Sequence, residues 1–217
     1  MSGRFAGSIR GKKHLAQHYD VATLTVRPGT HPSALAVLEK TLPGAAELRA
    51  VWFSELGALN QIMLIRDGMD PAKAIGDRQR QLGSGNPFGV GEFLTAITMD
   101  TYVSFDFIAP LRPGEIGPFF EVRTYMLKIN GLTPTNELWR KAVPGRATVS
   151  PVLAAMASVT GPVTRFMHIW PYKSLDERGR LRAKAVADGV WPPPGGPSHL
   201  ASQQSDIYLP ASFSPIR

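Results

Sequence analysis

The chain contains no cysteine. That single absence excludes disulfide frameworks, thiolate metal sites and cysteine nucleophiles together, and it suits a reducing cytosol. No unbroken apolar run approaches the roughly 20 residues that a membrane-spanning helix needs, so no membrane span is expected. The first sixteen residues lack the apolar core of a secretion signal. No nucleophile elbow is present. Gly83 to Gly91 is rich in glycine but has neither the preceding strand nor the following Lys-Ser/Thr of a phosphate loop; a mobile connector is expected there, with Phe88 at its tip as a lid in the sharper reading. His14 and His18 have helical metal-ligand spacing, but no acidic third ligand follows closely. Neither a metal nor a cofactor is expected.

What is present is an ordinary globular composition, 43% hydrophobic and 19% charged over 217 residues, enough for two small cores or one shared one. Lys and Arg outnumber Asp and Glu by 24 to 17, a net charge of +7. Part of that excess sits in residues 1–16, at Arg4, Arg10, Lys12 and Lys13, among Gly and Ser. A solvated basic leader is expected, and its composition leaves organelle import open beside a cytoplasmic location. The remaining positive charge is spread along the chain, so nucleic acid is not the expected partner.

The chain is also written twice. Tyr19-Asp-Val21 with Thr23 returns as Phe120-Glu-Val122 with Thr124. Pro43-Gly44 returns as Pro144-Gly145, Gly57-x-Leu59-x-x-Ile62-Met63-x-Ile65 as Gly161-x-Val163-x-x-Phe166-Met167-x-Ile169, and Asp100-x-Tyr102 as Asp206-x-Tyr208. The offset grows from 101 residues to 104 and then 106, as loops lengthening after a duplication would produce. Boundaries follow: a leader over 1–16, a first repeat over 17–108, a linker over 109–118 marked by its Pro and Gly residues, and a second repeat over 119–217.

Within each repeat the order reads strand, helix, strand, strand, helix, strand. Tyr19 to Val26 and Phe119 to Leu127 are β-rich and end at Pro28-Gly29 or Asn130-Gly131. Thr133 with Pro134 reads as a helix start, Pro43-Gly44 and Pro144-Gly145 as helix stops. Strands follow near 47–55 and 59–66, and near 149–158 and 163–170, joined through Gly57 and Gly161. Asp70-Pro71 and the capping box Ser174-Leu-Asp-Glu177 open the second helices. This βαββαβ order is the ferredoxin-like plait, an α+β unit that leaves one sheet face bare. Two in tandem bury those faces economically by packing sheet to sheet into a closed or nearly closed barrel.

His168-Ile-Trp-Pro-Tyr172 followed by Ser174-Leu-Asp-Glu-Arg178, with Glu121-Val-Arg-Thr-Tyr125 before and Phe213-Ser-Pro215 after, resembles the NIPSNAP family; Glu55-Leu-Gly-Ala-Leu-Asn60 carries a weaker likeness in the first repeat. The resemblance implies a dimeric α/β-barrel fold of two NIPSNAP-like repeats, the first degenerate. It implies no settled chemistry: members are linked to vesicle traffic and mitochondria, and related barrels include cofactor-free monooxygenases, small-molecule cyclases and haem-handling enzymes.

Period-2 alternation puts Glu121, Arg123 and Tyr125 on one face of their strand, with Phe120, Val122, Thr124 and Met126 opposite. On the later strand Phe166, His168 and Trp170 share a face. The helices are expected to cover the apolar set, so the charged set points into the barrel. There Arg123, Tyr125, His168 and Trp170, with Phe166 and Glu121, line one pocket. His168 acts as general acid or base, Arg123 stabilises an enolate or carboxylate, and Trp170 stacks on a flat substrate. The first repeat has Ala22, Leu24, Leu64 and Arg66 in the matching places and reads as structural. The plainer alternative makes His168 a satisfied core residue and Glu121 with Arg123 a buried pair.

The functional expectation is a small-molecule-binding barrel, with cofactor-free catalysis on a small aromatic or acidic metabolite as its enzymatic version. A non-catalytic interaction scaffold is the alternative, and an RNA-binding plait, stacking bases on Phe166, His168 and Trp170, the remote one. Trp191-Pro-Pro-Pro-Gly-Gly-Pro197 is expected to be a rigid exposed connector or a docking segment. The sheet edges leave homo-oligomerisation open.

Overall fold

The computed structural model describes residues 14–42, 46–68 and 70–217; the basic residues of the leader and the Pro43-Gly44 stop lie outside the described residues. The chain runs β1 (His18–Val26), α1 (His31–Thr41), β2 (Leu48–Leu56), β3 (Gln61–Asp67), α2 (Pro71–Gly83) and β4 (Leu94–Ser104). It then repeats the order as β5 (Phe119–Leu127), α3 (Leu132–Ala147), β6 (Ala154–Ser158), β7 (Arg165–Tyr172), α4 (Leu175–Ala187) and β8 (Leu200–Pro210). Each half is therefore one βαββαβ unit. The eight strands close into a barrel in the order β1-β3-β2-β8-β5-β7-β6-β4. The outer strand on each side of one plait pairs with that of the other: Trp52 of β2 lies opposite Pro210 of β8, and Tyr102 of β4 opposite Ser158 of β6.

The barrel interior holds one apolar cluster. Tyr19, Val21, Trp52, Met63, Ile65 and Tyr102 from the first repeat meet Phe120, Val122, Met156, Met167, Ile169 and Tyr208 from the second in one cluster. The rings of Trp52 and Phe120 stack across the repeats at 4.1 Å. The Trp52 indole N–H donates to the Ile216 carbonyl at 2.9 Å, and the Leu111 N–H donates to the Tyr19 hydroxyl, also at 2.9 Å. This overturns the expected facing of β5 and β7. The apolar set Phe120 and Val122 points inward, and Glu121, Arg123, Tyr125, Phe166, His168 and Trp170 point outward beneath the helices. Strands enclose the barrel centre all round, so it takes the set with fewest polar atoms; the sheet-to-helix layer has margins where charge can reach water.

Local starts and stops follow side-chain chemistry with two corrections. Asp70 caps α2 by accepting the Lys73 N–H at 2.9 Å, and Ser174 caps α4 by accepting the Glu177 N–H at 3.0 Å. Thr133 does not cap α3; the helix starts at Leu132 after Gly131. Nor does Pro144-Gly145 end it. The helix carries Pro144 inside and runs on to Ala147, so β6 begins at Ala154 rather than near Val149. Pro144 lacks one helical N–H, but the helix buries Trp139, Val143 and Arg146 along one face on both sides of it, and that burial outweighs one lost hydrogen bond. Phe88 is not a lid. It is 6% exposed, packed into the core beneath α1, with the Arg66 guanidinium 5.3 Å from its ring. His18 begins β1, so His14 and His18 do not form a helical pair.

Candidate functional site

The second repeat holds a cavity of about 400 Å³ between its sheet and its helices. β7 supplies the floor: Phe166, His168, Trp170 and Tyr172 project from alternate positions, all buried. β5 sets Arg123 directly beside His168 and Tyr125 beside Phe166. α3 lays Trp139 and Arg146 over them, one face of the helix seven residues apart. α4 contributes Arg182, and the proline-rich segment after it closes one side with Trp191, Pro192 and Pro193. That segment is thus part of the cavity wall, not a free connector. Trp191 packs edge-on against Trp139 at 4.7 Å and against Trp170 at 5.4 Å.

Five of the six residues expected at the site line this cavity: Arg123, Tyr125, Phe166, His168 and Trp170. They are together, but outside the barrel rather than in it. Glu121 does not line it. Fully buried, its carboxylate accepts from Arg178 at 2.6 Å, Ser205 at 2.8 Å and Arg123 at 3.2 Å, with Arg182 at 3.7 Å. Burial raises the Glu121 pKa, but the Arg178 hydrogen bond and the surrounding guanidinium charges outweigh that and hold it below the usual carboxylate value. Glu121 therefore anchors the arginines behind the wall. In the first repeat Asp20 does the same for Arg66 and Arg78, at 2.6 and 2.5 Å.

His168 has a defined role in this geometry. The Trp170 indole N–H donates to its Nδ1 at 2.7 Å, so Nδ1 is an acceptor and a neutral ring carries its proton on Nε2. Burial, with Arg123 and Arg182 nearby, holds the pKa well below the ordinary histidine value of 6.5, so the ring is neutral near pH 7. A neutral Nε2–H donates a hydrogen bond and takes no proton, so of the acid-or-base role expected from sequence the arrangement fits the donor side. Nε2 itself has no partner within the protein. The same holds for Arg123 Nε, Arg146 Nε, the Tyr172 hydroxyl and Thr135 Oγ1, each on a residue lining the cavity. Burial raises the pKa of Tyr125 and, with Glu121, that of Tyr172, so both phenols stay protonated.

Trp139, Arg146, Tyr172 and Arg182 were not assigned to the site from sequence, and the 191–197 segment was read as a connector or docking segment instead of a cavity wall. Tyr172 was reachable, as it extends the alternation of 166, 168 and 170. Arg146 was not, because the expected helix stopped at Pro144, and Trp139 was not, because the aromatic row of β7 was expected to face the barrel and not the helices. The RNA-binding alternative loses its surface: one sheet face is the barrel interior and the aromatic row lies beneath helices. Among the described residues no group of three or more His, Cys, Asp or Glu is placed to hold a metal, and no helix is long and apolar enough to cross a membrane.

The NIPSNAP family model matches residues 120–215. The NipSnap homolog of Dictyostelium discoideum is 24% identical over 183 residues, covering 80% of this chain and 77% of that protein, so the likeness extends into the first repeat. Among solved structures, an anthrone oxidase-like protein overlays 94% of this chain and 93% of its own with a TM-score of 0.62 at 12% identity. A Lactobacillus acidophilus protein named as a candidate monooxygenase overlays 90% of this chain and 94% of its own with a TM-score of 0.59 at 8% identity. At those identities the likeness is one of fold, and it is the two-plait barrel that is shared.

Proposed function

Since the chain carries a NIPSNAP domain over residues 120–215, we propose that it works as a small-molecule-binding barrel whose ligand is a flat aromatic compound held in the sheet-to-helix cavity of the second repeat. The observation that carries this reading is the contrast between the two repeats. In the first, the layer between sheet and helices is packed with Leu24, Leu38, Val51, Ile62 and Leu64. In the second, it holds a cavity walled by Trp139, Trp170 and Trp191 and by polar atoms without protein partners. A scaffold has no use for such atoms; buried donors are costly unless something pairs with them. A volume of about 400 Å³ lies within the range of small-molecule sites, roughly 300–1,000 Å³.

The enzymatic version assigns the catalytic work to His168 and Arg123. The Nε2–H and the guanidinium would together hold and polarise a substrate carbonyl oxygen, stabilising negative charge that develops on it. A cytoplasmic setting rests on the cysteine-free composition and is checked by cell fractionation. Association between chains would use the stretches of β4 and β8 that have one strand neighbour only, Leu94 to Thr101 and Leu200 to Asp206, and is checked by light-scattering mass.

Tryptophan emission provides the test. Three of the four tryptophans line the cavity, and the fourth, Trp52, sits in the barrel interior. Titration with neutral two-ring probes such as 2-naphthamide and quinoline should quench most of the emission and raise the melting temperature. Trp139→Leu should weaken both effects at least fivefold while the circular dichroism spectrum is kept. Absence of any quench or stabilisation across the probes would leave the scaffold reading in its place.

A further inference from the structure

We propose that the ligand of this cavity is an anion, an aromatic acid whose carboxylate is held by Arg146 with the Tyr172 hydroxyl beside it. The proposal rests on the cavity being a ligand site and adds the ligand's charge. Arg146 is 3% exposed, yet none of the ion pairs among the described residues includes it. Its hydrogen bond is a single neutral one, from Nη1 to the Ser150 carbonyl at 2.9 Å, and its Nε has no protein partner. Every other guanidinium of this layer has a carboxylate: Arg123, Arg178 and Arg182 share Glu121, while Arg66 and Arg78 share Asp20. A buried cation without a counter-ion is strongly disfavoured, and burial indeed pulls the Arg146 pKa down. An arriving carboxylate supplies the missing charge.

The rest of the wall agrees in sign. No Asp or Glu lines the cavity, whereas Arg123 and Arg182 do. The unpaired atoms of His168, Tyr172 and Thr135 are all able to donate. The Arg146 guanidinium carbon lies 4.6 Å from the Trp170 ring centroid, so the cation that would hold the acid sits beside an aromatic wall on which the acid's ring can pack. The repeat alignment places Ala45 at the position matching Arg146, so the charge belongs to the second copy alone. One unpaired guanidinium matches one carboxylate, which favours a monoanion over a dianionic phosphate.

The experiment compares 2-naphthoate with its neutral isostere 2-naphthamide by isothermal titration calorimetry, on the full chain and on Arg146→Met and Arg146→Lys. Wild type should bind naphthoate at least tenfold more tightly than naphthamide. Arg146→Met should abolish that preference while the circular dichroism spectrum is kept, and Arg146→Lys should keep part of it. If wild type binds the amide as tightly as the acid, the anion assignment is wrong and the aromatic cavity stands. Equal naphthoate preference in Arg146→Met would move the anion to another residue and overturn the proposal as stated. Should neither probe bind wild type, this inference falls together with the cavity reading it rests on.

Discussion

Asp206 of β8 sits against Gly57 of the β2–β3 hairpin so closely that a β-carbon on Gly57 would lie 2.0 Å from its Oδ1, and the same oxygen accepts the Ala58 N–H at 2.8 Å. The second repeat mirrors it: a β-carbon on Gly161 would lie 2.3 Å from Asp100 Oδ1, and Arg165 pairs with Asp100 at 2.8 Å. The glycines and the Asp-x-Tyr pairs that mark the duplication are thus one device. Each repeat closes its hairpin with a carboxylate lent by the other.

Gly57→Ala should therefore weaken the joint between repeats and not merely a turn. Gly57 has φ of +98°, outside what alanine adopts without strain, and the added methyl meets Asp206 head-on. Positive φ costs about 1–2 kcal/mol and forced overpacking about 1–3 kcal/mol, so a loss of roughly 2–5 kcal/mol is expected by urea unfolding. In a cycle with Asp206→Ala, the double variant should lose less than the two single losses together, because the clash is then gone. Full additivity would mean the two residues do not press on each other.

The duplication, the order of the elements and the closed barrel were all legible in the sequence, because paired glycines, prolines and Asp-x-Tyr motifs recur in register. The facing of β5 and β7 was not. Period-2 alternation separates Glu121, Arg123 and Tyr125 from Phe120 and Val122 but does not say which set is inside, and here both faces are buried. A usable signal lay in the helix: Arg178 and Arg182 need a carboxylate within reach, and Glu121 is the acid on the neighbouring strand. Arg66 with Asp20 and Asp77 carries the same message in the first repeat.

Glu121→Gln tests that arrangement directly. One fully buried carboxylate serves Arg178, Arg123 and Arg182, so an amide leaves three guanidiniums without their shared counter-ion. Removing one partner of a buried ion pair typically costs about 3–5 kcal/mol. Denaturant unfolding should show a loss of that order, and the crystal structure of any folded variant should show Arg182 turned to solvent. A loss below 1 kcal/mol would mean the cluster is better hydrated than its burial implies.

His168 should make the protein less stable in mild acid. Its folded-state pKa lies well below 6.5, so between the two values the unfolded chain binds the extra proton and stability falls as pH falls. The contribution is complete above pH 6.5 and, from pH 7.5 to 5.5, about 1.4 kcal/mol should be lost through this residue. His168→Gln should lower stability at pH 7.5 but flatten that part of the pH dependence. The Glu121 carboxyl, held below its usual value of 4.5, acts in a separate, more acidic window and does not blur the comparison. An unchanged slope in the variant would show that the histidine titrates normally.

The second repeat alone should not remain a monomer. In residues 105–217 the inward row Phe120, Val122, Met156, Met167, Ile169 and Tyr208 would lose its cover, and β6 and β8 would lose the strands β4 and β2 that pair with them. Residues 211–217, which in the whole chain dock Ala211 and Phe213 into the first repeat's core, would lose their seat as well. A second copy offers the same apolar sheet and the same free edges, related by a two-fold axis, so the fragment should close a barrel with itself. Light scattering should give twice the fragment mass, and the dimer should keep the tryptophan emission of the cavity, since Trp139, Trp170 and Trp191 all lie within the fragment. A soluble, cooperatively folding monomer would show that the sheet face does not need a partner, and would remove the physical reason for the barrel's closure.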